Sequence, residues 1–194
     1  MLLYNLKFTF MKTVKLISAV ILTFVFGANS YAQKTVMVGG APMYPTKNII
    51  ENAVNSKDHT TLVAAVKAAG LVETLQGKGP FTVFAPTNEA FDKLPKGTVD
   101  ALLKPENLKQ LQTILTYHVV AGKMNASDIM KAIKKGNGKA DLNTVSGGTL
   151  TAWMKGDKLY IKDENGSMSQ VAIADVNQSN GVIHVVDKVL LPKS

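Results

Sequence analysis

The sequence predicts an α+β domain, because helical and strand-like hydrophobic patterns occupy different parts of the chain. From about residue 46 to about residue 136, apolar side chains recur at the three- and four-residue spacing of helices. After about residue 140 the spacing changes to two, as in strands that bury one face. Neither an internal repeat nor a low-complexity segment interrupts this order. We therefore expect one domain in which N-terminal helices pack on a largely antiparallel β-sheet wedge.

The first helices are predicted from capping residues that stand before apolar runs. Thr46 would cap the first helix, and Asp58 or Thr60 would cap the second, which would end at Gly70. Residues 33–45 precede them and contain two glycines and two prolines, so we expect an irregular arm there.

Further helices are predicted before the pattern changes. One turn is expected over 71–75, and a short helix would end before Pro105. From Pro105 onwards, four apolar residues recur at helical spacing, and the chain would then become extended over 117–120. A last helix would open at 127–128 and close at Gly136.

A strand that turns directly into a helix is predicted for the segment TVFAPTNEAF. Aromatic and β-branched residues over 81–84 favour a strand, and Pro86 ends it because proline has no backbone donor. Thr87 would then cap a helix whose first turn contains Glu89, a favourable charge at that end. We interpret this segment as a structural corner.

Four strand-like runs follow, at 149–154, 158–163, 169–176 and 182–190. The turns between them are Gly156-Asp157, Asn165-Gly166 and Asn180-Gly181. Such pairs are typical of tight hairpins, so this part of the chain predicts an antiparallel meander.

Two of these turns are similar to short functional motifs. The segment 175–181 begins like a calcium loop, but Asn180 stands where glycine is needed and Val186 where a glutamate is needed. Residues 155–157 read Lys-Gly-Asp, which is similar to an integrin-type tripeptide. Gly-Asp is also an ordinary hairpin turn. We interpret both segments as turns.

Residues 1–32 are predicted to form a leader that contains a signal peptide. Translation would start at Met11, and two lysines then precede an apolar run over 16–26. Ser30-Tyr31-Ala32 has the small residues of a cleavage site, which would leave Gln33 as the mature N-terminus. A retained anchor is the alternative, although the run is shorter than the about 20 residues that span a bilayer. A leader with these features is typical of a secreted bacterial protein, which would be periplasmic or extracellular.

The composition limits the classes of ligand that such an exported domain can bind. The chain has 22 basic and 14 acidic residues and no cysteine. Every basic residue is lysine, which excludes bidentate recognition of phosphate or guanine by arginine. Without cysteine there are neither disulfides nor thiol catalysis. The net charge of +8 falls to +5 without the three lysines of the leader, which still favours acidic polysaccharide or anionic lipid over nucleic acid.

Three motifs together resemble the fasciclin domain family. They are TVFAPTNEAFDKLP at 82–95, LTYHVV at 115–120 and GVIHVVDKVLLP at 181–192. Their order and spacing are similar to that family over residues 46–192, nearly the whole chain beyond the leader. The resemblance implies a fasciclin-like fold and a secreted adhesion or interaction module.

Tyr117 and His118 are the candidate binding residues that the resemblance implies. In animal fasciclin domains a Tyr-His pair at this place is linked to integrin-dependent adhesion. The residues themselves also support a packing role, since Leu115, Val119 and Val120 indicate a mostly buried segment. A half-buried histidine with a hydrogen-bonded partner needs no ligand. We expect a mainly structural pair, with a contact site as the alternative.

A local run of positive charge provides the second set of candidate binding residues. It consists of Lys131, Lys134, Lys135 and Lys139. The first three share one side of a predicted helix, and two glycines follow them in a mobile loop. These lysines are candidate contacts for an anionic ligand, and a solvated helix surface is the simpler interpretation.

Motifs of catalysis are absent from the sequence. It contains no G-x-S-x-G, no H-E-x-x-H, no phosphate loop and no dinucleotide fingerprint. His59, His118 and His184 share no metal-ligand spacing. Strand alternation places His184 and Asp187 on opposite faces, so we expect a packed, hydrogen-bonded His184 rather than a catalytic pair. We expect no enzyme, no cofactor and no metal site.

The leading prediction is therefore a secreted adhesion or interaction module that binds a cell-surface or matrix component, protein or polysaccharide. The alternative is a binder of an acidic polysaccharide or another anionic ligand through surface lysines. A hydrolase with an unrecognised site is the remote alternative. We expect no nucleic-acid partner and no stable membrane span after the leader is cleaved.

Overall fold

A β-hairpin begins the described part of the protein, which comprises residues 35–193 of a computed structural model. Strand β1 (Val36–Val38) pairs antiparallel with strand β2 (Ala41–Met43). The leader predicted over 1–32 and its cleavage site before Gln33 lie outside the described residues.

This hairpin replaces most of the irregular arm predicted for 33–45, so that prediction was wrong. Gly39 and Gly40 have φ angles of 57° and 76°, which is the backbone of a two-residue turn that favours glycine. Val38 and Met43 are buried in the core. The glycines that suggested irregular structure are instead the residues that let two short strands pair.

Helices occupy most of the chain between this hairpin and residue 135. In the described part of the chain they are α1 (Ile49–Ala53), α2 (Thr60–Ala68), α3 (Val72–Gln76), α4 (Asn88–Asp92), α5 (Thr98–Leu102), α6 (Leu108–Tyr117) and α7 (Ala126–Lys135). Short 3₁₀ turns at Lys57–His59 and Pro105–Asn107 lead into α2 and α6. The predicted helices therefore exist, with several boundaries displaced.

The helix boundaries differ from the predicted ones where a different residue caps the helix. Asn48, not Thr46, caps α1, because its side chain accepts a hydrogen bond from the Glu51 amide at 2.9 Å. The Glu51 carboxylate accepts in return from the Asn48 amide at 2.8 Å, which completes a capping box. Helix α4 starts as predicted, since Thr87 Oγ1 accepts from the Ala90 amide at 3.3 Å.

Seven strands form one sheet. They are β3 (Phe81–Pro86), β4 (Val119–Ala121), β5 (Lys139–Asn143), β6 (Thr149–Lys155), β7 (Lys158–Lys162), β8 (Met168–Gln178) and β9 (Gly181–Val186). Their order is β4-β3-β9-β8-β7-β6-β5, and neighbours are antiparallel except for the parallel pair β3–β9. The predicted meander is confirmed as β6 to β9. Strand β5 was not predicted, because Lys-Ala-Asp-Leu-Asn has few residues that favour strands.

The sheet curls until its two edge strands meet. Val120 of β4 bridges to Thr144, which follows β5 directly, and the Val145 amide donates to the Val119 carbonyl at 2.8 Å. Contact between the edges covers backbone groups that would otherwise be exposed. This curvature separates an inner and an outer face of strands β5 to β8.

Two hydrophobic cores lie on opposite sides of the central strands. The first packs α1 to α6 against Val83 and Ala85 of β3 and Ile183 of β9. The second lies inside the curl and joins α7 to the inner face of β5, β6 and β7. Phe84 of β3 and Val186 of β9 point into this second core. Both central strands are therefore buried on two faces, as all six residues of β9 show.

Candidate binding face

Tyr117 and His118 lie at the end of a helix rather than in the extended segment that the sequence predicted. Tyr117 is the last residue of α6, His118 caps that helix, and β4 begins at Val119. The His118 amide still donates to the Leu115 carbonyl at 3.2 Å. Tyr117 is 0% exposed and His118 is 3% exposed.

The polar atoms of this pair are all bonded inside the domain. Tyr117 Oη donates to the Thr149 carbonyl at 2.8 Å and accepts from the Glu164 amide at 3.1 Å. His118 Nδ1 donates to the Ile114 carbonyl at 2.8 Å. His118 Nε2 accepts from the Leu190 amide at 3.0 Å. The pair thus connects α6 to β6, to the loop after β7 and to the C-terminal segment.

Burial shifts the ionisation of both side chains. It lowers the pKa of His118 to about 4 and raises the pKa of Tyr117 to about 12. A neutral imidazole fits the bonds of His118, because one ring nitrogen donates while the other accepts. The pair therefore lies beneath the surface of the folded domain and offers no exposed polar group to a ligand.

The other two histidines are also buried and lie apart from each other in the fold. His184 Nε2 donates to the Met124 carbonyl at 2.9 Å, and its ring stacks on Phe84 with centroids 5.6 Å apart. His59 Nδ1 bonds to Ser56 Oγ at 2.8 Å. Burial lowers the pKa of both rings.

The four candidate lysines are exposed but do not share one surface. Lys131, Lys134 and Lys135 lie on α7. This helix packs into the second core through Ile129, and it thereby covers the inner face of β5 and β6. Lys139 begins β5 and alternates with buried residues, so it belongs to the outer face of the sheet. The four lysines are close together in sequence, but the sheet separates Lys139 from the three that lie on α7.

A salt bridge further separates the helix lysines. Lys131 Nζ lies 3.4 Å from Asp128 Oδ1, and within residues 35–193 this is the one ion pair closer than 4.0 Å. Asp128 also accepts from the Asn125 amide at 3.2 Å, so the same carboxylate caps α7. The predicted run therefore has an acidic neighbour one turn before Lys131.

The outer face of the meander carries the sole tryptophan of the chain. We define this outer face by the outward side chains of β5 to β8, which are Lys139, Asp141, Thr151, Trp153, Lys155, Lys158, Tyr160, Lys162, Met168 and Gln170. The four lysines are exposed, and the two aromatic side chains are half-buried. Alternating inward residues such as Leu150 and Ile161 are fully buried.

Strand register aligns one row of side chains across all four strands. Lys139 pairs with Trp153, Trp153 with Tyr160, and Tyr160 with Gln170. The Trp153 and Tyr160 rings stack with centroids 5.6 Å apart and planes 25° from parallel. Tyr160 Oη donates to Gln170 Oε1 at 3.1 Å. Cross-strand bonds and stacking hold this row in place without help from a loop.

The charge of the outer face is positive. Four lysines surround the aromatic pair, whereas Asp141 is the single acid of the defined set, and its Oδ1 accepts from Thr151 Oγ1 at 2.9 Å. An open surface of stacked rings, amide and hydroxyl groups and ammonium groups can contact an extended, anionic and hydroxyl-rich chain.

Sequence reasoning found only Lys139 of this face. The strands 149–154 and 158–163 were predicted, and the segments TAWMK and KLYIK alternate polar or aromatic with apolar residues. That alternation already places Trp153 and Tyr160 on the side opposite the core. The register that sets these two rings beside Lys139 could not be predicted from the sequence, because strand β5 was itself not predicted.

The described residues contain neither a candidate metal site nor a candidate membrane span. Among residues 35–193, no three or more histidine, aspartate or glutamate side chains are grouped closely enough to hold a metal ion. None of the helices in that region has both the length and the apolar character that crossing a membrane requires.

Fold and site together define an α+β domain with an open, positively charged sheet face as its candidate site. The family model of the fasciclin domain matches residues 57–192. The chain belongs to the fasciclin family, and the fold class predicted from the sequence is confirmed.

Two relatives show the range of chains that contain this domain. Protein sll1483 of Synechocystis is 45% identical over 160 residues, which are 82% of each chain. Transforming growth factor-beta-induced protein ig-h3 of Sus scrofa is 35% identical over 157 residues, which are 76% of this chain and 20% of that protein. The matched region thus covers most of one relative and a fifth of the other.

A solved structure has the same fold at low sequence identity. It is a FAS1 domain pair from the insect cell adhesion molecule fasciclin I, with a TM-score of 0.67 and 19% identity. The match covers 75% of this chain and 51% of the pair. At that identity the likeness is one of fold.

Proposed function

We propose that this protein is an exported interaction module that binds an acidic polysaccharide of a cell surface or matrix through the outer face of β5 to β8. The observation that carries the proposal is the stacked Trp153–Tyr160 pair among four lysines on an open sheet face. This combines the two leading expectations from the sequence, an adhesion module and a lysine-dependent binder of an anionic polymer.

Each part of the face has a physical role in such binding. The half-buried rings of Trp153 and Tyr160 offer apolar surface to the carbon-bound hydrogens of sugars, and their partial burial lowers the entropy lost when a ligand binds. Ammonium groups attract carboxylates or sulfates over a distance but lack the fixed geometry of guanidinium groups. We therefore expect recognition of a class of polymer rather than of one sequence of sugars.

The relatives support the general role. Fasciclin I is an insect cell adhesion molecule, and its domain pair shares this fold. The leader predicted over 1–32 would place the domain outside the cytoplasm, where surface polysaccharides occur. A binding role agrees with an open face, since catalysis generally needs a cleft that excludes water.

The sole tryptophan makes the proposal directly measurable. Titration with polygalacturonate, a carboxylated polysaccharide, should change the fluorescence of Trp153 at low salt. In about 1 M salt the Debye length is near 3 Å, so binding should weaken strongly. Neutral dextran is the control for the sugar ring without the charge, and it should bind weakly at both salt concentrations.

Charge reversal separates the outer face from the helix. Lys139→Glu combined with Lys162→Glu should weaken low-salt binding on the order of tenfold. Lys134→Glu combined with Lys135→Glu on α7 is the matched control, since it changes the net charge equally on the other side of the sheet. Equal losses in the two double variants would indicate diffuse attraction and contradict a site on the outer face.

The aromatic pair has its own test. Trp153→Ala should weaken binding about tenfold, measured by calorimetry because the reporter is lost. Tyr44→Ala, which removes an exposed aromatic ring from another surface, should leave the affinity unchanged. A Trp153→Ala variant that folds and binds like the parent would exclude the ring from the site.

A further inference from the structure

An apolar cavity of about 90 Å³ lies between the helical layer and the sheet, on the side away from the outer face. Its wall is almost entirely hydrocarbon. Representative wall residues are Ile50 and Ala53 of α1, Val63 and Val66 of α2, Val83 of β3 and Ile183 of β9.

The size and chemistry of this cavity indicate what it can hold. Apolar cavities exclude water, because a buried water needs polar partners, and an engineered apolar cavity of about 150 Å³ binds benzene. A cavity of about 90 Å³ therefore suits a shorter stretch of hydrocarbon. A void in a core costs stability since its walls lose contacts, and a ligand that fills it restores them.

The rim of the cavity connects it to solvent and carries a positive charge. Lys67, Thr74 and Val145 all line the cavity and are exposed. No carboxylate of residues 35–193 lies within 4.0 Å of the Lys67 ammonium group. The aliphatic stem of a lysine can lie along an apolar wall while its charge stays in water. An apolar chain inside the cavity would thus end beside an ammonium group that can pair with an anion.

We propose that this cavity binds a small single-chain anionic amphiphile, with about four to six carbons of its alkyl chain inside and its head beside Lys67. The site is separate from the outer face, so this inference is independent of the polysaccharide proposal. The chain supplies the affinity through burial of apolar area, and the charge supplies the preference for an acid over a neutral head.

Three small probes separate these contributions. Hexanoate and hexanol should both raise the thermal unfolding temperature of the protein, because each binds the folded state only. Hexanoate should bind about threefold to fivefold more tightly, which is the effect of one exposed ion pair. Acetate has the charge without the chain and should leave the unfolding temperature unchanged. A protein that responds to none of the three, or equally to acetate and hexanoate, would overturn the proposal.

Two substitutions locate the site. Ala53→Leu extends a side chain from the wall of α1 into the cavity and should abolish the response to both six-carbon probes. Ala64→Leu is the matched control, because Ala64 is exposed on α2 and does not line the cavity. Lys67→Gln should equalise hexanoate and hexanol, whereas Lys78→Gln in an exposed loop should not.

The measurements on these variants test the proposal even if one of the variants does not fold. An Ala53→Leu protein that folds and keeps the full response to hexanol would exclude the cavity as the site. If Ala53→Leu does not fold, Val63→Leu fills the same wall from α2 and gives the same readout. A Lys67→Gln protein that still prefers hexanoate threefold or more would exclude Lys67 as the partner of the head.

Discussion

At the scale of single residues, three buried histidines make the stability of the domain depend on pH. Burial lowers the pKa of His59, His118 and His184, and for His118 the value is about 4. In the unfolded chain each ring has its ordinary pKa near 6.5. The folded state therefore binds fewer protons than the unfolded state at mildly acid pH.

The sign of this effect follows from the proton difference. The stabilising contribution of His118 is fully present above pH 6.5 and decreases as the pH falls toward its folded pKa of about 4. Between pH 7.5 and pH 5, His118 alone should lower the free energy of unfolding by about 2 kcal/mol. Urea unfolding at the two pH values measures this, and a free energy of unfolding that does not change would contradict it.

The variant His118→Ala tests the same residue at constant pH. It should lower the free energy of unfolding by about 1–3 kcal/mol at pH 7.5, because the Leu190 amide and the Ile114 carbonyl lose their buried partner. Its stability should also depend less on pH than that of the parent. A variant as stable as the parent that no longer binds any ligand would instead make His118 a contact residue.

At the scale of elements, the parallel pair β3–β9 is the part of the sheet on which both cores depend. Gly181 starts β9 opposite Phe81, and a Cβ atom added there would lie 2.2 Å from the Phe81 carbonyl oxygen. Real Cβ atoms do not approach a backbone oxygen so closely. The strands must therefore move apart at this point if any side chain is introduced.

We predict that Gly181→Ala lowers the free energy of unfolding by about 3–4 kcal/mol. Gly156→Ala is the control, because Gly156 has a φ angle of 64° but open space around its Cβ position. The strain of that backbone alone should cost about 1–2 kcal/mol. Equal losses in the two variants, measured by urea unfolding, would show that the close approach at Gly181 relaxes without a cost.

At the scale of the whole molecule, the predicted leader would decide where the domain meets its ligand. Lys12, the apolar run over 16–26 and Ser30-Tyr31-Ala32 predict export and cleavage before Gln33. N-terminal sequencing of the exported protein should therefore begin at Gln33. A protein found outside the cytoplasm with its leader still attached would contradict the prediction and favour a retained anchor.

The domain has two candidate binding regions, which lie in different parts of the fold. The outer face lies on the convex side of the curled sheet, where side chains alternate away from the second core. The cavity lies in the first core between helices and sheet. Because the two regions share no residue, variants in one should leave binding at the other unchanged.

Features that depend on neighbours along the chain were predictable from the sequence. The change of period near residue 140 predicted the fold class, and the hairpin turns at Gly156 and Asn180 predicted the meander. Thr87 was correctly assigned as a cap, because a cap and its helix lie within four residues. Such features follow from local backbone geometry, which the residue types largely specify.

Features that depend on partners far apart in sequence became visible only in the folded domain. Phe81 pairs with Gly181, and Tyr117 bonds to Glu164, contacts that no local pattern specifies. Register placed Trp153 between Lys139 and Tyr160, and the sheet divided a run of lysines that is continuous in sequence. The physical reason is that the order of strands and the burial of a side chain are set by how the two cores close. Those cores are assembled from residues along the whole described chain.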